Sequence, residues 1–239
     1  MQSRKALAYA LQHALQVIIA SVRPRLTMTA PLTLVSLPLF PLHTVLYPGG
    51  TLPLRIFELR YRTMVRCCRE QGAPFGVVTL LSGSEVQTSE TTATDFHPVG
   101  TIACIDSVTQ LNPSLELLQC TGKDRFRITK SHKLVGGLLV GDVELIAQDQ
   151  PITVPPDLEH SVSTLRQVLQ RLPQRFQQHH TEQLFSDCGW VANRWCELFP
   201  MSEPMRLQLL EMDSPLLRLE LITDALERAG ILHRPQKQT

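Results

Sequence analysis

The chain has 239 residues, a formal charge of +1, and 43% hydrophobic against 19% charged residues. Size scaling for 26.9 kDa buries about 28,000 of about 39,000 Å² on folding, so a real core forms without disulfide or metal staples. The composition excludes a disordered chain, a collagen-like fibre and a disulfide scaffold, and the near-zero charge excludes a surface built throughout for nucleic acid.

Residues 1–30 read as an N-terminal extension, a flexible or over-extended start. They carry Arg4, Lys5, Arg23 and Arg25 but no acid, and the first acidic residue of the chain is Glu58. An ordered amphipathic helix and a targeting signal are the other readings of this segment, although Gln16 interrupts its apolar stretch and no A-x-A site follows. No apolar run reaches the ~18 residues that a membrane-spanning helix needs.

From 31 to 150, short apolar runs alternate with turn residues. Leu34–Phe40, Thr51–Ile56, Phe75–Leu81, Val99–Asp106, Leu115–Cys120, Phe126–Thr129 and Leu138–Ile146 read as strands. Pro48-Gly49-Gly50, Ser82-Gly83-Ser84, Asn112-Pro113-Ser114 and Gly136-Gly137 punctuate them. Pro38 and Pro41 favour an edge or strand end, because proline donates nothing to a ladder. One helix interrupts the strands, from Glu58 to Gln71, with Leu59, Met64, Val65 and Cys68 sharing a face and Gly72 ending it. Many short strands on one chain predict a closed or nearly closed barrel. Residues 83–97 are polar and read as a loop.

After Pro151 the period changes, and 151–232 reads as helical. Pro155-Pro156-Asp157 marks the boundary, with Asp157 as a helix cap. Leu158, Val162, Leu165, Leu169, Leu172 and Phe176 form a stripe at helical spacing, broken by Pro173. Further helices are predicted from Asp187 to Leu198, from about Ser202, and from Ser214-Pro215 to a stop at Gly230. Trp190 and Trp195 read as interior. Residues 233–239 are a tail.

The search for catalytic chemistry predicts a chain without catalytic, cofactor or metal sites. Gly122-Lys123-Asp124 lacks the upstream glycine and the following Ser/Thr of a phosphate loop, and Ser82-Gly83-Ser84 is no nucleophile elbow. His179-His180 with Glu182 reads as a solvated surface group, and His43 and His97 as isolated loop residues. The six cysteines form no C-x-x-C. Cys104 and Cys120 read as small buried hydrophobes, and the reduced reading suits a cytoplasmic protein.

One segment stands out: Leu37-Pro38-Leu39-Phe40-Pro41-Leu42, then Val45-Leu46-Tyr47-Pro48-Gly49-Gly50, then Leu52-Pro53-Leu54-Arg55-Ile56-Phe57-Glu58-Leu59-Arg60-Tyr61. Arg55, Glu58 and Arg60 crowd Phe57 and Tyr61 where a strand hands over to a helix, and an Arg–Glu pair there would fix the corner. This segment resembles the N-terminal domain of the Lon protease. Phe75-Gly76-Val77-Val78, Val99-Gly100-Thr101-Ile102-Ala103, Gly122-Lys123-Asp124-Arg125-Phe126-Arg127-Ile128 and Val143-Glu144 are similar to its later strands, in order. Val191-Ala192-Asn193-Arg194 and Leu209-Leu210-Glu211-Met212-Asp213 look like the helical end of its stand-alone relatives.

The resemblance spans about residues 33–230. It implies an α+β fold: a PUA-like, mostly antiparallel β-barrel with one inserted helix, then a C-terminal α-helical bundle. It implies a non-catalytic module that binds unfolded or extended polypeptide segments or a protein partner, without the ATPase and peptidase parts. Tyr47, Arg55, Phe57, Glu58, Arg60, Tyr61 and Arg125 are the candidate contacts. The alternative is RNA binding, with Lys123, Arg125, Arg127, Lys130 and Lys133 as a modest basic patch weakened by Asp124.

Overall fold

The computed structural model describes residues 32–82, 95–172 and 181–232. The N-terminal extension, most of the polar 83–97 stretch, Phe176, His179-His180 and the tail lie outside them. The chain divides into two compact units between Gln148 and Asp149.

The first unit contains β1 (Thr33–Leu42), β2 (Thr51–Ile56), α1 (Leu59–Gln71), β3 (Phe75–Ser82), β4 (Asp95–Asn112), β5 (Leu115–Lys133) and β6 (Leu139–Leu145). They form a mixed six-stranded sheet in the order β2-β5-β4-β3-β1-β6, and β5 also pairs with β6. The pairings of β1, β3, β4, β5 and β6 therefore return on themselves, while β2 hangs on β5 outside that cycle. The sheet departs from a simple barrel in one parallel pairing, β1 with β3. A parallel pair needs a long crossover, and the segment carrying β2 and α1 supplies it.

Three sequence expectations change here. β1 lies between β3 and β6 rather than at an edge. Pro38 pairs with β6 before the β3 pairing begins at Leu39, and Pro41 pairs with β3 after the β6 pairing ends at Leu39. Each proline thus sits where one side of the strand is unpaired, so no ladder donor is lost. The runs Leu115–Cys120 and Phe126–Thr129 belong to one long strand. Its first half pairs with β2 and its second half with β6, while β4 pairs with it from Leu115 to Arg127. Finally, β4 begins at Asp95, so His97 is a strand residue, and its Nδ1 accepts the Val99 N–H at 3.2 Å.

Two glycines explain the motif spacing. A Cβ at Gly100 would lie 2.4 Å from the Val77 carbonyl and 2.6 Å from Phe126 Cζ; a Cβ at Gly122 would lie 2.3 Å from the Tyr47 carbonyl. At Gly122 the chain docks against the Pro48-Gly49-Gly50 turn. The Gly49 N–H donates to the Gly122 carbonyl (2.9 Å), and the Gly122 N–H donates to the Gly50 carbonyl (2.8 Å). Two motifs about seventy residues apart in sequence are therefore one contact.

In α1, Tyr61, Met64, Val65 and Cys68 are buried, at spacings of three, four and seven from Tyr61. Leu59 is not on that face. Gly72 closes the helix in the left-handed region at φ 61°, and its N–H and that of Ala73 bond to the last-turn carbonyls.

The second unit contains a 3₁₀ turn (Pro156–Leu158), α2 (Glu159–Arg171), α3 (Glu182–Phe185), α4 (Cys188–Leu198), α5 (Glu203–Glu211) and α6 (Pro215–Arg228). Asp157 lies inside the 3₁₀ turn and caps nothing. α2 stops at Arg171 because Leu172 precedes Pro173 and is held extended, at ψ 146°. Asp187 caps α4 by accepting the Trp190 N–H at 2.8 Å, and Ser214 caps α6 by accepting the Leu217 N–H at 3.3 Å. Trp195 is buried and donates to the Ser161 carbonyl at 3.2 Å. Trp190 is only half-buried, edge-on to Phe185 at 4.9 Å.

The organising contact of this unit is Arg218, which is 1% exposed. It grips Asp149 with two nitrogens (2.6 and 3.1 Å) and also donates to Asn193 Oδ1 at 3.0 Å and to the Met212 carbonyl. The two helical sequence motifs, around Asn193 and Met212, are therefore both held by one guanidinium.

Candidate functional site

The handover from β2 to α1 is built as an ion-paired corner. Glu58 occupies the N-cap position of α1 without a side-chain cap. Its carboxylate instead accepts from Arg60 Nε at 3.0 Å. Arg60 Nη1 donates to the Gly137 carbonyl at 2.9 Å, and its guanidinium lies over the Tyr61 ring, 4.4 Å from the centroid. Tyr61 in turn stacks on Phe40 at 3.9 Å. Arg60 and Glu58 are thus occupied in joining α1 to the β5–β6 turn.

The seven sequence candidates separate by environment. Tyr47 and Tyr61 are buried, and Tyr61 belongs to the hydrophobic core. Arg125 is also buried, and its Nη2 reaches the Ala147 carbonyl at 3.5 Å. Arg55 and Phe57 are exposed, Phe57 by 53%, as alternation along β2 requires when Leu54 and Ile56 point inward. Only these two of the seven present an open surface.

The structure adds residues that the sequence reading missed. A groove of about 380 Å³ runs along the outward side of α1, lined by Leu59, Arg62, Thr63, Val65, Arg66, Arg69 and Glu116. The tip of the β4–β5 hairpin closes one side. Arg62 Nη2 donates to the Pro113 carbonyl at 2.7 Å, and its Nε lies 3.9 Å from Glu116 Oε1. Leu59, 46% exposed, opens onto the groove two residues after Phe57. A second cavity of about 300 Å³ lies beyond Arg69, which lines both, and is walled by Cys68, Gly72–Pro74 and Cys104–Val108. The signal for the first groove was present in the helix period, since Arg62, Arg66 and Arg69 fall on one side of α1. Its opposite wall comes from a hairpin more than forty residues away.

All six cysteines are free, and burial pushes the thiols of Cys68 and Cys120 up to about 12. Among the described residues no cluster of three or more His, Cys, Asp or Glu could hold a metal, and no helix is long and apolar enough to cross a membrane. The basic strip of β5 is partly neutralised across its ladder. Arg127 faces Glu144, Lys130 faces Asp142, and Arg125 is turned inside.

Comparison with known proteins accords with this geometry. The chain matches no curated protein sequence. Among solved structures it is similar to a Lon N-terminal domain protein from Xanthomonas campestris, at 36% identity and a TM-score of 0.62, over 80% of this chain and 98% of that one. It also shares its fold with the N-terminal domain of the Mycobacterium avium complex Lon protease, at 16% identity and a TM-score of 0.54, over 79% of this chain and 96% of that one. The model of the ATP-dependent protease La (Lon) substrate-binding domain matches residues 36–228. With that match spanning both units, the chain belongs to the Lon substrate-binding domain family.

Proposed function

We propose that this chain is a non-catalytic polypeptide-binding module and that it binds through the surface running from Arg55 and Phe57 to Leu59 and along the outward side of α1. The carrying observation is the exposure of Phe57 and Leu59 beside an open groove, in a family described as substrate-binding. Both residues could have turned inward with their neighbours Ile56 and Met64; left outward, they offer apolar area that an unfolded segment can bury. Glu58, Arg60, Tyr61 and Tyr47 support this surface from beneath. A PUA-like barrel followed by a helical bundle is our reading of the fold, supported by the closed cycle of strand pairings and by the shared burial of Leu165, Trp195, Leu219 and Ile222. Six free cysteines favour a reducing compartment, the cytoplasm.

The test is fluorescence anisotropy with a urea-unfolded, iodoacetamide-capped polypeptide diluted into buffer with the full chain. Binding is expected, weakened by the double substitution Phe57→Ser, Leu59→Ser. Tight binding of a single-stranded RNA oligomer with none of the polypeptide would replace this reading with the nucleic-acid one.

A further inference from the structure

The groove beside α1 carries more than apolar area. Its floor holds three arginines at 62, 66 and 69, spaced four and three residues apart, so they stand one above another over about 10 Å of helix. Among the described residues its single lining acid is Glu116, which is already paired with Arg62. Arg66 and Arg69 are exposed, and their side chains make no hydrogen bond or ion pair among the described residues. Asp106, which lines the second cavity together with Arg69, is engaged elsewhere: its Oδ2 accepts from Thr121 Oγ1 at 2.7 Å. Glu70 is exposed one turn after Arg66, at i+4 on the helix surface, but forms no ion pair with it among the described residues and does not line the groove. The groove therefore presents two arginines without a direct ion-pair partner among the described residues, with an apolar residue, Leu59, at one end.

We infer that the preferred occupant of this groove is an acidic extended polypeptide segment, with carboxylates at alternate residues and an apolar side chain beside them. The inference rests on the polypeptide-binding reading above and names its substrate class. The spacing argues for it. Alternate side chains of an extended strand stand about 7 Å apart on one face, and neighbouring arginines on a helix face are about 5–6 Å apart at Cβ. Two successive same-face carboxylates can then each meet one guanidinium. A guanidinium takes a carboxylate by two parallel hydrogen bonds, which suits Arg better than Lys for the purpose. The apolar residue of the segment would cover Leu59.

The experiment uses the full chain and three fluorescein-labelled 15-residue peptides. One carries Asp at alternate positions with a terminal Leu-Phe, one has Lys in place of each Asp, and one has Ser. The acidic peptide is expected to bind about tenfold tighter than the Ser peptide and to lose that advantage when salt is raised well above physiological strength. The double reversal Arg66→Glu, Arg69→Glu is expected to weaken the acidic peptide about tenfold, and Arg66→Gln, Arg69→Gln about threefold, with unchanged far-UV circular dichroism. Equal binding of all three peptides, unaffected by either variant, overturns the inference and leaves the proposed function standing. Failure of every peptide and of the unfolded polypeptide overturns both. Preference for an RNA oligomer, lost on the same reversal, assigns the groove to nucleic acid and overturns the inference.

Discussion

Two groups of arginines show opposite uses of one side chain. In the second unit Arg218 is enclosed, and every direction its two terminal nitrogens face holds an oxygen: Asp149, Asn193 and the Met212 carbonyl. On α1, Arg66 and Arg69 stand in an open groove with no side-chain hydrogen bond or ion pair among the described residues. A buried charge is tolerated only when its partners are already present. An exposed one is free to wait for a partner that arrives. Whether an arginine serves the fold or a ligand is decided by whether the fold itself saturates it. Arg62 and Arg60 lie between these limits, with Arg62 half-occupied by Pro113 and Glu116 and Arg60 locked at the corner.

Breaking the enclosed group should have the largest effect. Arg218→Met removes the donor of all four of these hydrogen bonds from the interior of the unit, and a loss of about 3–5 kcal/mol is expected. Urea denaturation, following Trp195 fluorescence, measures it; a loss under about 1 kcal/mol would show that Asp149 reaches water and that the clamp is dispensable. Gly100→Ala should follow, because its Cβ meets a backbone oxygen at 2.4 Å, where no side chain can yield. A destabilisation of about 1–3 kcal/mol, read from the thermal midpoint, is expected.

The open group should behave differently. Arg66→Ala with Arg69→Ala should change stability by less than about 0.5 kcal/mol, since exposed arginines without partners contribute little to the folded state. The same pair should lower acidic-peptide affinity. If the thermal midpoint falls as far as it does for Arg218→Met, the contrast between the two groups fails.

A smaller and slower effect concerns the thiols. The pKa values of Cys68 and Cys120 are raised to about 12 in the folded chain, so both remain protonated at pH 8 and should resist a disulfide reagent until urea opens the unit. The sign for stability follows from the same shift. The unfolded thiols ionise near their ordinary value while the folded ones do not. Their contribution is therefore intact below pH 9 and is lost as pH rises from there towards 12. Urea midpoints at pH 7 and pH 10 should differ less in the double variant Cys68→Ser, Cys120→Ser than in the parent chain.

Much of the fold was legible one residue at a time. Periodicity placed α1, α2, α4 and α6, since a helix buries one stripe and its sequence must repeat to do so. Asp187, Ser214-Pro215, Gly72 and Gly230 marked helix ends because only certain residues satisfy or relieve a helix terminus. The Glu58–Arg60 pair was legible because its partners are two residues apart. The short helix α3 gave no signal, being too brief for a stripe, and neither did Arg218, a charge that helical patterning assigns to solvent.

The candidate site divides along the same line. Of the candidate contacts, Arg55 and Phe57 are exposed, whereas Tyr47, Tyr61 and Arg125 are buried, and that division required the tertiary structure. The sequence by itself determined most of the elements and several of their ends, and it carried the i, i+4, i+7 spacing of Arg62, Arg66 and Arg69, because these follow from local geometry repeated over a few residues. Only the tertiary structure decided which strands close the cycle, that the Gly122 backbone meets the Pro48-Gly49-Gly50 turn, and that a hairpin wall faces Arg62, Arg66 and Arg69. Those are contacts between segments from about forty to more than a hundred residues apart. They are fixed by which surfaces fit together without water or clash, and no local pattern encodes that fit.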